Sequence, residues 1–149
     1  LAARDYVLAT AESCTGGWIA EVVTATSGSS AWFDRGWVTY SNEAKQQMLG
    51  VPSATIATEG AVSEAVVCAM AEGALAHSQA SHAIAVSGIA GPSGGSPEKP
   101  VGTVWIAWAA RGETTQTRLY HFDGDREAVR QQTVCSALLH LCGEGPVDD

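Results

Sequence analysis

The chain has 149 residues, 46% of them hydrophobic, and a formal net charge of −8 at pH 7. That length allows one domain whose core needs neither disulfides nor metal, and the charge argues against general binding to nucleic acid or to an anionic membrane. No apolar run approaches the ~18 residues of a membrane span and the N-terminal stretch lacks a signal-peptide layout, so a cytoplasmic setting is expected.

Tyr6-Val7-Leu8-Ala9 reads as a short buried strand, and Trp18-Ile19-Ala20-Glu21-Val22-Val23 as the start of a helix. Between them, Ala11-Glu12-Ser13-Cys14-Thr15-Gly16-Gly17 is a strand-to-helix turn, with backbone N–H groups that the helix cannot satisfy itself. Gly16 and Gly17 leave that backbone open to a ligand. Ser13 could attack a carbonyl there while neighbouring N–H groups hold the oxyanion. Alternatively, Ser13 or Thr15 could simply cap the helix. Cys14 is either a reactive thiol or a small packing residue. The four cysteines form no CxxC pair and read as reduced, buried thiols.

Residues 35–40 predict the second strand, and Asn42 the N-cap of a helix over residues 43–49, closed by Gly50-Val51-Pro52. Lys45 then falls in the first turn, where a cation opposes the helix dipole at a cost of roughly 0.3–1 kcal/mol. The same field, and burial, favour a neutral amine that can act as a general base; an exposed lysine on a solvated face is the other reading. Tyr40, at the end of the strand, could reach the same site or be simply a strand-end aromatic. Residues 56–60 read as a loop. Ser63 is the expected N-cap of a helix running to about His77, with Val62 and Val67 as a hydrophobic staple. His77 and His82 lack a carboxylate or cysteine at ligand spacing, so surface or capping roles are expected and no metal centre.

Residues 83–86 form a buried strand leading into a loop over residues 87–97, rich in glycine and proline. No helix follows that loop, so it is not a dinucleotide fingerprint; it is a surface connection or a ligand wall. Residues 102–109 predict a strand, and residues 114–122 its antiparallel partner across Arg111-Gly112-Glu113. Asp125 is the expected N-cap of a final helix whose core face is Val134, Leu138, Leu139 and Leu141, with residues 143–149 a frayed tail. Arg126, in the first turn, is a second cation set against a helix dipole, and the two together point to an anion site. Arg130 shares its face.

Ala11-Glu12-Ser13-Cys14-Thr15-Gly16-Gly17, Val38-Thr39-Tyr40-Ser41-Asn42-Glu43-Ala44-Lys45, Gly60-Ala61-Val62-Ser63, Ser87-Gly88-Ile89-Ala90-Gly91-Pro92, Lys99-Pro100-Val101-Gly102-Thr103-Val104 and Gly124-Asp125-Arg126 form an ordered set. The set resembles the C-terminal domain of CinA, the PncC-type nicotinamide-nucleotide amidohydrolases, over nearly the whole chain. Two positions depart from that pattern: Ser93, where glycine is frequent, and Trp18, where smaller aliphatics are frequent. Longer members carry an additional N-terminal domain resembling molybdopterin-binding proteins. The resemblance implies a three-layer α/β/α sandwich with a mixed sheet, one domain over residues 1–149, and deamidation of nicotinamide mononucleotide to nicotinate mononucleotide and ammonia without a cofactor. It implies Ser13 as nucleophile with Tyr40 and Lys45 as its activating partners. It also places Cys14, Thr15, Gly16, Gly17, Gly88 and Gly91 around the substrate and Arg126 at its phosphate. The expected partners are a small-molecule nucleotide and further copies of the chain, as a dimer. A nucleotide- or partner-binding module without turnover is the competing class; the joint presence of Ser13, Tyr40 and Lys45 favours the enzyme.

Overall fold

Every residue of β1 (Leu8–Glu12) is buried, because a strand lies on each side of it and helices cover both faces. The computed structural model describes residues 5–143. Within them, β2 (Phe33–Val38) and β3 (His82–Gly88) run parallel to β1. β4 (Thr103–Ala110) and β5 (Gln116–His121) continue antiparallel, giving the order β2-β1-β3-β4-β5.

Successive side chains on a strand point to opposite faces, and here they sort by size. Ala9, Ala11, Ala83, Ala85, Ala107 and Ala109 share one core with α2 (Asn42–Leu49), α3 (Ser53–Glu59) and α4 (Glu64–Ala76). Leu8, Ile84, Val86, Val104, Ile106 and Trp108 share the other with α1 (Trp18–Thr24) and α5 (Arg126–Leu141). The result is the three-layer sandwich with a mixed sheet. The alanine face lets α4 approach the sheet closely, and on α4 a Cβ at Gly73 would run into the Leu49 carbonyl.

The connections determine where a ligand can sit. α1 carries the chain from β1 to β2 over one face, while α2, α3 and α4 carry it from β2 past β1 to β3 over the other. Strand order therefore reverses at β1, and such a reversal opens a crevice at the carboxyl ends of the strands. Ser13 is the first residue beyond β1.

Several expectations are corrected. β1 starts and ends later than predicted because Ala11 and Glu12, poor strand formers, are paired on both sides. Residues 56–60 are not a loop: most belong to α3, a short helix that buries Ile56. Ser41, not Asn42, caps α2, its hydroxyl accepting from the Ala44 N–H at 3.0 Å. Ser63 and Asp125 cap α4 and α5 as expected. On α5 the buried face is Val129, Thr133, Val134 and Ala137, and Leu139 is exposed. Cys135 and Cys142 are free and exposed rather than buried. Of the expected tail, residues 144–149 lie outside the described residues.

Candidate active site

Ser13 leaves β1 with its N–H still in the sheet, donating to Val86 O at 3.1 Å. The Gly16 N–H donates back to Ser13 O at 3.0 Å and closes the turn. Gly16 and Gly17 have φ of 60° and 103°, values that only glycine adopts without a Cβ penalty. Gly17 is the N-cap of α1 and has no side chain to offer the helix. Glu12 takes that place. Its buried carboxylate accepts from the N–H groups of Ile19 (2.8 Å) and Ala20 (3.0 Å) and from the Thr15 hydroxyl. An internal anion thus occupies the amino end of α1, where the dipole favours it. Glu12→Ala strands three donors and is expected to cost about 2–4 kcal/mol of stability. Chemical denaturation measures this; an unchanged midpoint would mean that water replaces the carboxylate without loss.

Lys45 reaches Ser13 from α2. Capping by Ser41 moves it one place further into the helix than predicted, and its side chain is 1% exposed. Its Nζ lies 3.0 Å from Ser13 Oγ, 2.9 Å from Thr39 O and 3.4 Å from Tyr40 O. Removal from water penalises the ammonium and holds its pKa below the usual lysine range. A neutral amine has two N–H donors and one lone pair. With the two donors on the backbone carbonyls, the lone pair is left for the Ser13 hydroxyl proton.

Ser13, Cys14, Tyr40, Gly88, Gly91 and Arg126 line one cleft of about 320 Å³, with Ala61, Val62, Ile89 and Ala90 as its apolar wall. Thr15 is fully buried and turns to Glu12, and Gly16 and Gly17 shape the turn without lining the cleft. Cys14 is buried, and burial pushes its thiol up to about 12, so it packs as a neutral thiol. The Tyr40 side chain is exposed at the rim, where its hydroxyl accepts from Arg126 Nη2 at 3.1 Å. Arg126 Nη1 donates to Gly91 O at 2.9 Å, and among the described residues no carboxylate pairs with it. Among those residues there is also no cluster able to hold a metal ion.

Sequence reasoning gave no role to Glu12, the Thr39 carbonyl or Arg130. An acid just before a helix start was a signal for Glu12. Arg130 donates from Nε to Cys14 O at 3.1 Å and from Nη2 to Thr15 O at 3.0 Å, across 116 and 115 residues of the chain. Only its four-residue spacing from Arg126 hinted at it.

The fold and the site define an α/β domain with a serine at the switch point of its sheet, paired to a buried lysine. The chain belongs to the CinA C-terminal domain family, whose pattern matches residues 1–144. It is 62% identical over 142 residues to nicotinamide-nucleotide amidohydrolase PncC of Escherichia coli (strain K12), covering 95% of this chain and 86% of that protein. It is 60% identical over 129 residues to the protein of the same name from Pseudomonas putida, covering 87% and 80%. The crystal structure of competence damage-inducible protein A from Klebsiella pneumoniae superposes with a TM-score of 0.93 at 48% identity, covering 97% of this chain and 89% of that one. Among the described residues no helix is long and apolar enough to cross a membrane.

Proposed function

We propose that the chain hydrolyses the carboxamide of nicotinamide mononucleotide, giving nicotinate mononucleotide and ammonia, with Ser13 as nucleophile and Lys45 as its base. The observation that carries this reading is the 3.0 Å approach of Lys45 Nζ to Ser13 Oγ at the cleft wall, with two backbone carbonyls aiming the amine. The names of the relatives supply the substrate class.

Lys45 takes the Ser13 hydroxyl proton as Oγ attacks the carboxamide carbon, which the pyridinium ring makes electron-poor. The carbonyl oxygen becomes an oxyanion held by backbone N–H of the turn, the Cys14 N–H being nearest in sequence to the nucleophile. The C–N bond then breaks, the Lys45 ammonium returns its proton to the departing nitrogen, and ammonia leaves. Water, deprotonated in turn by Lys45, attacks the acyl-serine ester; as the C–O bond breaks the Lys45 ammonium returns its proton to Ser13 Oγ, and the nicotinate is released. The apolar wall formed by Val62 and Ile89 receives the pyridine ring, and Tyr40 holds Arg126 at the rim. Purified protein incubated with nicotinamide mononucleotide tests the reading. Ammonia and nicotinate mononucleotide should form in equal amounts, and tight binding without product would instead mark a binding module.

The amino end of α1 is already filled by Glu12, so the substrate phosphate is assigned to Arg126, whose guanidinium has only neutral acceptors. Arg126→Ala is expected to lower kcat/KM for the nucleotide by roughly 10- to 100-fold, the worth of a charged hydrogen bond. The phosphate-free riboside should be affected much less. The ratio of the two kcat/KM values, wild type against variant, checks this; an unchanged ratio removes Arg126 from the phosphate.

A further inference from the structure

Cys14 is 6% exposed and Thr15 is fully buried, and among the described residues no other residue accepts the backbone N–H of either, that of Cys14 meeting only its own sulfur. Buried N–H groups seek an acceptor, and the Cys14 N–H beside the nucleophile can donate to charge that develops there. What keeps them from turning toward an internal acceptor is the opposite edge of the same peptides. In a trans peptide the carbonyl and the following N–H lie in one plane and point in opposite directions. Arg130 Nε holds the Cys14 carbonyl, which fixes the N–H of Thr15. Arg130 Nη2 holds the Thr15 carbonyl, which fixes the N–H of Gly16. The Gly16 N–H donates to the Ser13 carbonyl, and this fixes the N–H of Cys14. Two consecutive peptides are thereby held directly by one guanidinium, and a third through the Gly16 N–H. The Trp18 ring, 5.3 Å from its central carbon, covers its other side. A cation on a peptide oxygen also polarises that peptide and strengthens its N–H as a donor.

We infer that Arg130 is a positioning residue of the reaction: it locks the turn so that the Cys14 N–H, at the cleft wall, faces the oxyanion formed at Ser13. This rests on the amidase reading above. It separates the two arginines of α5, with Arg126 acting on the substrate and Arg130 on the backbone that meets the transition state.

The test compares wild type, Arg130→Met and Arg130→Lys, with nucleotide and riboside as substrates. Arg130→Met is expected to lose about 100-fold in kcat, as when an oxyanion donor is removed, with KM within about threefold. The loss should be equal for both substrates, since no phosphate contact is involved. Added ethylguanidinium should restore part of the turnover of Arg130→Gly. Amide hydrogen exchange at Cys14 and Thr15 should accelerate in Arg130→Met. Unchanged kcat, or a loss confined to KM for the nucleotide, overturns the inference. If Arg130→Met does not fold, Arg130→Lys decides, because one ammonium cannot span both carbonyls and kcat should fall about tenfold; wild-type kcat there overturns the inference. Wild type that releases no ammonia would instead sink the amidase reading, and the exchange measurement, which needs no turnover, would still report whether Arg130 holds the turn.

Discussion

Ser13→Ala is expected to lower amidase turnover by about 10⁴- to 10⁶-fold, the loss seen when an acyl-transfer nucleophile is removed. Folding should be nearly unaffected. The Ser13 backbone keeps its bonds to Val86 and Gly16, and Lys45 keeps the Thr39 and Tyr40 carbonyls. Nucleotide affinity should also survive, because the proposed ring and phosphate contacts lie elsewhere in the cleft. Ammonia release gives the rate, and calorimetry gives the affinity. Wild-type turnover in this variant would mean that water attacks the carboxamide directly and that Ser13 is only a hydrogen-bond partner of Lys45.

For Lys45 the expected result is a pair of dead variants and a displaced pH profile. Lys45→Met removes the base, and Lys45→Arg replaces it with a guanidinium that cannot accept a proton; each should cost about 10²- to 10⁴-fold in kcat. In the wild type, burial lowers the lysine pKa, so the amine is neutral at pH values where a free lysine, with pKa about 10.4, is charged. In the proposed mechanism the neutral form is the active one, so kcat/KM should rise with pH through an apparent pKa below that value. The same shift has a stability consequence. Between the lowered folded pKa and about 10.4 the unfolded chain binds the extra proton, so stability rises with pH over that window. The slope should be absent in Lys45→Met. An active arginine variant would reduce Lys45 to an electrostatic role.

The contact between Ser13 and Lys45 was legible because each member of this proposed catalytic pair breaks a local rule. Ser13 sits in a glycine turn, and Lys45 is a cation where the α2 dipole disfavours one. The reading of Lys45 tolerated a one-residue error in the cap, since Ser41 and Asn42 are both good N-caps and only the Ser41 hydroxyl to Ala44 N–H bond decides between them. α3 was missed because Ser53-Ala54-Thr55-Ile56-Ala57-Thr58-Glu59 is rich in β-branched and hydroxyl residues, and tertiary packing of Ile56 overrides that weak propensity. Leu139 was misassigned because α5 buries smaller residues, Thr133 and Ala137, against the sheet. Tyr40 lines the cleft, but its hydroxyl is committed to Arg126, a pairing across 86 residues that no local pattern encodes. The contacts of Arg130 with the turn were invisible for the same reason.

The acceptors that aim Lys45 belong to the main chain of residues 39 and 40 rather than to any side chain. Substitution at the exposed Tyr40 can alter polarity or size while leaving the amine pointed at the serine, provided that the backbone path is kept. The proposed base is therefore insulated from change in the Tyr40 side chain. Tyr40, exposed on the rim, becomes a position where a library of variants can explore new substrates without first disarming the nucleophile.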